Sequence, residues 1–162
     1  MENMNELIAA IETMDPEAVA SAILAFTGLF VIIAAIALIR YLMTAIGYSK
    51  MYRKAGEAGW KAFIPVYNTY NNYKISWTGK KFFLSAALYI LMSALTNSTM
   101  LSLQLVAAAA GIALLVIVIK QNIKMAKTFG KGAGTGIALM FFPGITSLIL
   151  GLGKAEYTAI NA

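Results

Sequence analysis

The sequence predicts an all-α integral membrane protein, with four transmembrane helices in two hairpins and short interfacial helices beside them. Three observations predict it. Apolar types make up 60% of the 162 residues and charged types only 12%, whereas a soluble domain carries roughly 25% charged residues. Uncharged stretches of the length a bilayer requires, about 20 residues, recur along the chain. The bases gather on alternate connecting segments, the pattern that orients membrane proteins. Disorder is excluded by the same richness in apolar residues.

Residues 1–15 carry Glu2, Glu6, Glu12 and Asp15 between Met1, Met4, Leu7, Ile8, Ile11 and Met14. That spacing of three and four predicts an acidic amphipathic segment. A secretory signal would begin with bases, and this segment has none. The remainder, 16–162, reads as a single membrane domain with spans at about 18–40, 80–96, 100–120 and 135–153. The first span opens on Asp15-Pro16-Glu17, a capping acid, a proline at the first helical position and an acid in the first turn. The uncharged run from Phe82 to Ile119 is too long for one crossing, and Thr96-Asn97-Ser98-Thr99 supplies the turn of a helical hairpin. Its first arm is short, so it takes a turn from Trp77-Thr78-Gly79 while Lys80 and Lys81 snorkel. The last span contains Pro143 and Gly144, which predict a kinked or broken helix.

The loops 41–79 and 121–134, with Arg40, Lys80, Lys81 and Lys120 at the span ends that flank them, hold every base except Lys154, whereas five of the seven acids precede the first span. The positive-inside rule then places both loops in the cytoplasm and both termini outside. The net charge of +6 is thereby a topology signal, with anionic lipid rather than nucleic acid as its expected partner.

Loop 41–79 is the most distinctive segment. Gly56 and Gly59 end the helix that continues from the first span, and aromatic residues then recur as Trp60, Phe63, Tyr67, Tyr70, Tyr73 and Trp77. Their helical spacing, divided by Pro65, predicts two short helices in the head-group layer with their rings at the interface. Asn68, Asn71 and Asn72 face the polar side or bond among the loops. In the second loop, Lys120, Lys124, Lys127 and Lys131 form one basic stripe on a helix continuing from the third span, each a candidate for a lipid head group. Gly130-Lys131-Gly132-Ala133-Gly134-Thr135-Gly136 lacks the G-x-x-x-x-G-K-[ST] pattern of a phosphate loop. Gly132 and Gly136 instead form a small-xxx-small pair for helix packing. Lys50-Met51-Tyr52-Arg53-Lys54-Ala55-Gly56 is similar to Lys124-Met125-Ala126-Lys127-Thr128-Phe129-Gly130, a hint of internal duplication.

Catalytic chemistry has little to draw on. The chain has no Cys and no His, so thiolate or imidazole metal sites and the commonest nucleophiles and bases are missing. No acid lies within a span, where a proton-coupled transporter would need one. No cofactor or metal is expected.

The stretch Lys54-Ala55-Gly56-Glu57-Ala58-Gly59-Trp60-Lys61-Ala62-Phe63-Ile64-Pro65-Val66-Tyr67-Asn68-Thr69-Tyr70 resembles the signature K-A-G-x-x-G-W-x-A-x-I-P-x-Y-N-x-Y of a bacterial family of small multi-pass membrane proteins of unknown function. Members are at times labelled signal peptidase I or fused to it. Ala126-Lys127-Thr128-Phe129-Gly130-Lys131-Gly132 and the Pro143 span are similar to that family's second half. The resemblance implies a bacterial inner-membrane location and a four-span layout, with no catalytic residue to carry over. Signal peptidase chemistry uses a serine and a lysine in a sizeable outer domain, and here the outer loop is a few residues long. The sequence therefore predicts a non-enzymatic accessory or scaffold protein, with a membrane-protein partner or a second copy of itself as binding partner. A small transporter or channel subunit is the alternative.

Overall fold

The computed structural model describes Met4 and residues 15–159. The amphipathic segment expected at 1–14 therefore lies, but for Met4, outside the described residues. All the regular secondary structure among the described residues is helical, with no strand. In order they form α1 (Pro16–Lys54), a 3₁₀ helix (Gly59–Phe63), α2 (Pro65–Ser76), α3 (Gly79–Thr96), α4 (Leu101–Thr128), α5 (Ala133–Phe141) and α6 (Pro143–Leu152). The chain divides into two compact units, Met1–Arg40 and Tyr41–Ala162.

In the first unit α1 starts as the sequence predicts. The Asp15 carboxylate accepts a hydrogen bond from the Glu17 backbone N–H at 3.1 Å, and Pro16 opens the helix. The apolar window of this helix is wholly exposed, and the Thr27 hydroxyl turns back onto the carbonyl of Ile23 at 2.7 Å. A surface that apolar is stable against hydrocarbon, not water.

Among the described residues two helices, α1 and α4, are long and apolar enough to cross a membrane, not the four expected. Two physical reasons account for the difference. α3 has 18 residues but spends its first turn on Gly79-Lys80-Lys81. The last apolar stretch is cut at Phe142, whose backbone leaves the helical region (φ −127, ψ 57) before Pro143 restarts the helix. The pieces, 9 and 10 residues, are about 13 and 15 Å long at 1.5 Å per residue. Half a bilayer is about 15 Å.

These two pieces fold back on each other. α5 leaves the C-terminal end of α4 and packs along it, with Gly136 against the backbone of Ile123. α6 then returns beside the last turns of α1, where Gly151 meets the carbonyl of Gly47 and the backbone N–H of Met51. The tail ends where α5 began: the Thr158 N–H donates to the Thr128 carbonyl at 2.7 Å, and the Tyr157 hydroxyl donates to the Ile75 carbonyl at 2.9 Å. Residues 132–153 therefore begin and end at the same end of α4.

The segment after α1 follows the same route. Gly59 lies against Ser49 and Arg53, the Tyr41 hydroxyl donates to the Phe63 carbonyl, and Pro65 turns the chain back into α2. α2 then passes Tyr52 and packs on α3 and α4. The hinted duplication thus has a structural counterpart. Both K-M-x-[KR]-x-x-G runs end their helix in the same double hydrogen bond, with a glycine at positive φ. In the first, Glu57 N–H reaches the Tyr52 carbonyl (2.8 Å) and Gly56 N–H the Arg53 carbonyl (3.2 Å). In the second, Lys131 N–H reaches the Ala126 carbonyl (2.9 Å) and Gly130 N–H the Lys127 carbonyl (3.0 Å). This is the Schellman closure, and φ of 76° at Gly56 and 66° at Gly130 is why glycine stands at both.

The core sits at this end of the second unit. Tyr48, Met51, Tyr52, Met125, Phe129, Leu139 and Leu150 are buried together, with Ala155 and Tyr157 of the tail packed on them. Met51 and Tyr52 of one repeat and Met125 and Ala126 of the other occupy matching buried positions.

Candidate functional site at the basic end

The motif residues are distributed over three tasks. Gly56 closes α1, and Gly59 starts the 3₁₀ helix so tightly that a Cβ there would lie 2.8 Å from Arg53 Nε. Pro65 is the first residue of α2. Asn68 and Asn72 surround the hydroxyl of Tyr52, which lies 2.7 Å from the Asn68 carbonyl and 2.8 Å from Asn72 Oδ1. Burial, and then the neighbouring Tyr48, pushes the Tyr52 phenol upward, and burial pushes Tyr48 up to about 12. Both therefore stay neutral donors at any physiological pH. Asn71 is buried, and its side-chain amide has no hydrogen-bond partner.

The aromatic run does not lie uniformly at one surface. Trp60 and Tyr67 are about half exposed, their rings meeting edge-on at 5.5 Å, and Phe63, Ile64 and Val66 are exposed beside them. Tyr70 and Tyr73 instead turn inward, where each meets the Phe82 ring, at 5.7 and 6.3 Å. Alternation of helix faces explains the split, because α2 buries the side that meets α3 and α4. The fold-back of α5 and α6 carries a corresponding exposed tip, Phe141, Phe142 and Ile145, with Pro143 and Gly144 in the first turn of α6.

The basic stripe is shorter than expected. Lys120, Lys124 and Lys127 lie on α4, but the helix ends at Thr128 and the Schellman turn carries Lys131 off it. Lys120, Lys127 and Lys131 are exposed, and Lys124 Nζ stands 4.4 Å from the centre of the Trp77 ring. The expected glycine pair also separates. Gly136 is buried, and a Cβ there would sit 2.5 Å from Ile123 Cα, whereas Gly132 has open space around it.

Three groups matter more than the sequence reading recognised. Lys54 is one: its ammonium donates to the carbonyls of Leu150 (2.8 Å), Gly153 (2.7 Å) and Ala155 (2.9 Å), so it caps the C-terminal end of α6 as a cation should. Glu57 is another, with Lys61 Nζ at 2.7 Å and Lys74 Nζ at 2.5 Å. Hydrogen bonds from Lys61 and then Lys74 hold its carboxyl below the usual range, and the bond to Glu57 holds Lys74 above its own. Its position as the lone acid of a basic loop was the available signal. The third is the pair Gly47 and Ser147, where the final helix meets α1; no local pattern marks that contact.

Among the described residues no group of His, Cys, Asp and Glu is arranged to hold a metal. The family of unknown function DUF5684 matches residues 60–159, from Trp60 of the motif to the packed tail. The chain belongs to this family. No curated protein matches the chain, and no solved structure matches it.

Proposed function

We propose that the protein is a non-enzymatic accessory or scaffold protein of the bacterial inner membrane, presenting a folded basic platform on the cytoplasmic side. Three helices cross: α1, α3 and α4. With 18 residues, α3 is about 27 Å long, enough to span when Lys80 and Lys81 snorkel. The two fold-backs are re-entrant hairpins whose backbone breaks, at Ile64 and Phe142, sit at their exposed tips. Both start and finish on the cytoplasmic side. This threading gathers all the Lys and Arg on one face, Lys154 included, and leaves five of the seven acids on the other, a cleaner charge separation than four spans give.

The observation that carries this reading is the pair of exposed apolar tips, Phe63-Ile64 with Val66 and Phe141-Phe142 with Ile145, on hairpins whose feet are lysine-rich. Such a surface rests in the interface of one leaflet with its bases among head groups. A signal peptidase as partner is implied by the motif resemblance alone. Purification in mild detergent tests the role: a reproducible membrane-protein partner supports it. A clean monomer that restores a deletion phenotype without any partner contradicts it.

The transporter or channel alternative draws on the unpartnered Asn71 amide and the break at Pro143, since broken helices and buried polar groups build binding sites in transporters. Flux across reconstituted liposomes, abolished by Asn71→Leu, would favour it.

A further inference from the structure

Trp77 ends α2, and two ammonium groups from different helices stand over its ring: Lys81 Nζ of α3 at 5.1 Å and Lys124 Nζ of α4 at 4.4 Å from the centre. Lys80 and Lys120 are exposed on the same two helices, one residue and one turn away. An indole face attracts a cation through its quadrupole but carries no net charge to neutralise one. Like charges gathered on one ring repel, and Lys80 and Lys81 occupy the first turn of α3, where cations are disfavoured. No carboxylate relieves them among the described residues. The loop's single acid, Glu57, is already paired with Lys61 and Lys74. The arrangement is held by packing: the Tyr70 ring lies against Gly79 and meets Phe82, which fixes the start of α3 beside the end of α2.

We propose that Trp77, Lys81 and Lys124 form a seat for one phosphate-bearing anionic lipid head group. The phosphate oxygens accept hydrogen bonds from the two ammoniums, and the indole lies at the level of the glycerol backbone, where tryptophan is enriched. Lys80 and Lys120 supply further positive potential at the rim. The seat rests on the cytoplasmic platform reading and sharpens it, from a diffuse basic surface to one stoichiometric site.

The full chain in mild detergent, exchanged into nanodiscs of phosphatidylcholine with a minor share of phosphatidylglycerol, tests it by counting co-purified phosphatidylglycerol. The wild type should retain about one tightly held phosphatidylglycerol per chain. Lys81→Gln with Lys124→Gln should lower its retention about thirtyfold, as expected for two bases that each contact the phosphate. Lys127→Gln with Lys131→Gln removes the same charge and should change retention less than about twofold, because bases away from the seat act only through the screened surface potential. Lys124→Arg should restore binding, which a folding defect would not allow. Equal loss in both double variants overturns the seat and leaves a basic platform standing. No preference of the wild type for phosphatidylglycerol over phosphatidylcholine overturns both. Displacement of the lipid by millimolar inorganic phosphate would identify a free-anion site and overturn the lipid assignment.

Discussion

Gly47 and Gly151 let two backbones approach at the end of α1 that carries the core. A methyl group at position 151 would lie 2.6 Å from the Gly47 carbonyl and 2.9 Å from Lys50 Cβ, and one at position 47 would lie 2.7 Å from the Leu148 backbone nitrogen. Backbone cannot yield as a flexible side chain does, so Gly47→Ala or Gly151→Ala should cost about 1–3 kcal/mol. Gly132→Ala, in open space, should be nearly silent. Thermal unfolding in mild detergent reads the difference. Glu57 gives a pH signature. Its carboxyl is held below the unfolded value of about 4.3, so its stabilisation is present above that pH and is lost as the pH falls through the lower folded value. Unfolding followed from pH 6 down to pH 3 should show a loss in the wild type that Glu57→Gln does not share. The lone acid of the loop was legible in the sequence, and its partners were not. Lys61 lies one turn away, but Lys74 arrives only because the chain doubles back after Pro65.

At the scale of elements, the sequence was most legible where a local device decides the outcome. Asp15-Pro16 starts α1, the Thr96–Thr99 turn falls at the joint between α3 and α4, Gly56 stops α1, and Pro65 and Pro143 each restart a helix. A proline fixes where a helix breaks but not by how much the chain then turns, and that angle set the path of both hairpins. Contacts distant in sequence chose reversal at each: Tyr41 to Phe63 in one, Gly47 to Gly151 in the other. The two Schellman glycines test whether the repeats are equivalent. Gly56→Ala and Gly130→Ala each force a side chain into the left-handed region, which costs about 1–2 kcal/mol. Neither position has a heavy atom within 4 Å of a Cβ, so conformation alone sets the penalty. Comparable losses of thermal stability in the two variants are expected. A large loss in one and none in the other would mean that the two turns bear different loads.

At the scale of the whole molecule, the buried core lies in the second unit, around Met51, Tyr52, Met125 and Phe129, and the apolar windows of α1 and α4 are left almost wholly exposed. Exposed helices as apolar as these are stable against hydrocarbon rather than water. The tail strapped to Thr128 and Ile75, and the Lys54 ammonium on three carbonyls of the last helix, tie the second unit together. Hydropathy alone could not distinguish a crossing from a re-entrant hairpin in residues 132–153, because both bury the same apolar residues in hydrocarbon. The side on which the tail emerges decides between them. The native chain has no Cys, so single cysteines at Ser98, Lys61 and Glu156 can be probed in intact cells with a membrane-impermeant maleimide. Ser98→Cys should be labelled from outside, and Lys61→Cys and Glu156→Cys only after permeabilisation. Labelling of Glu156→Cys from outside would contradict the re-entrant hairpin.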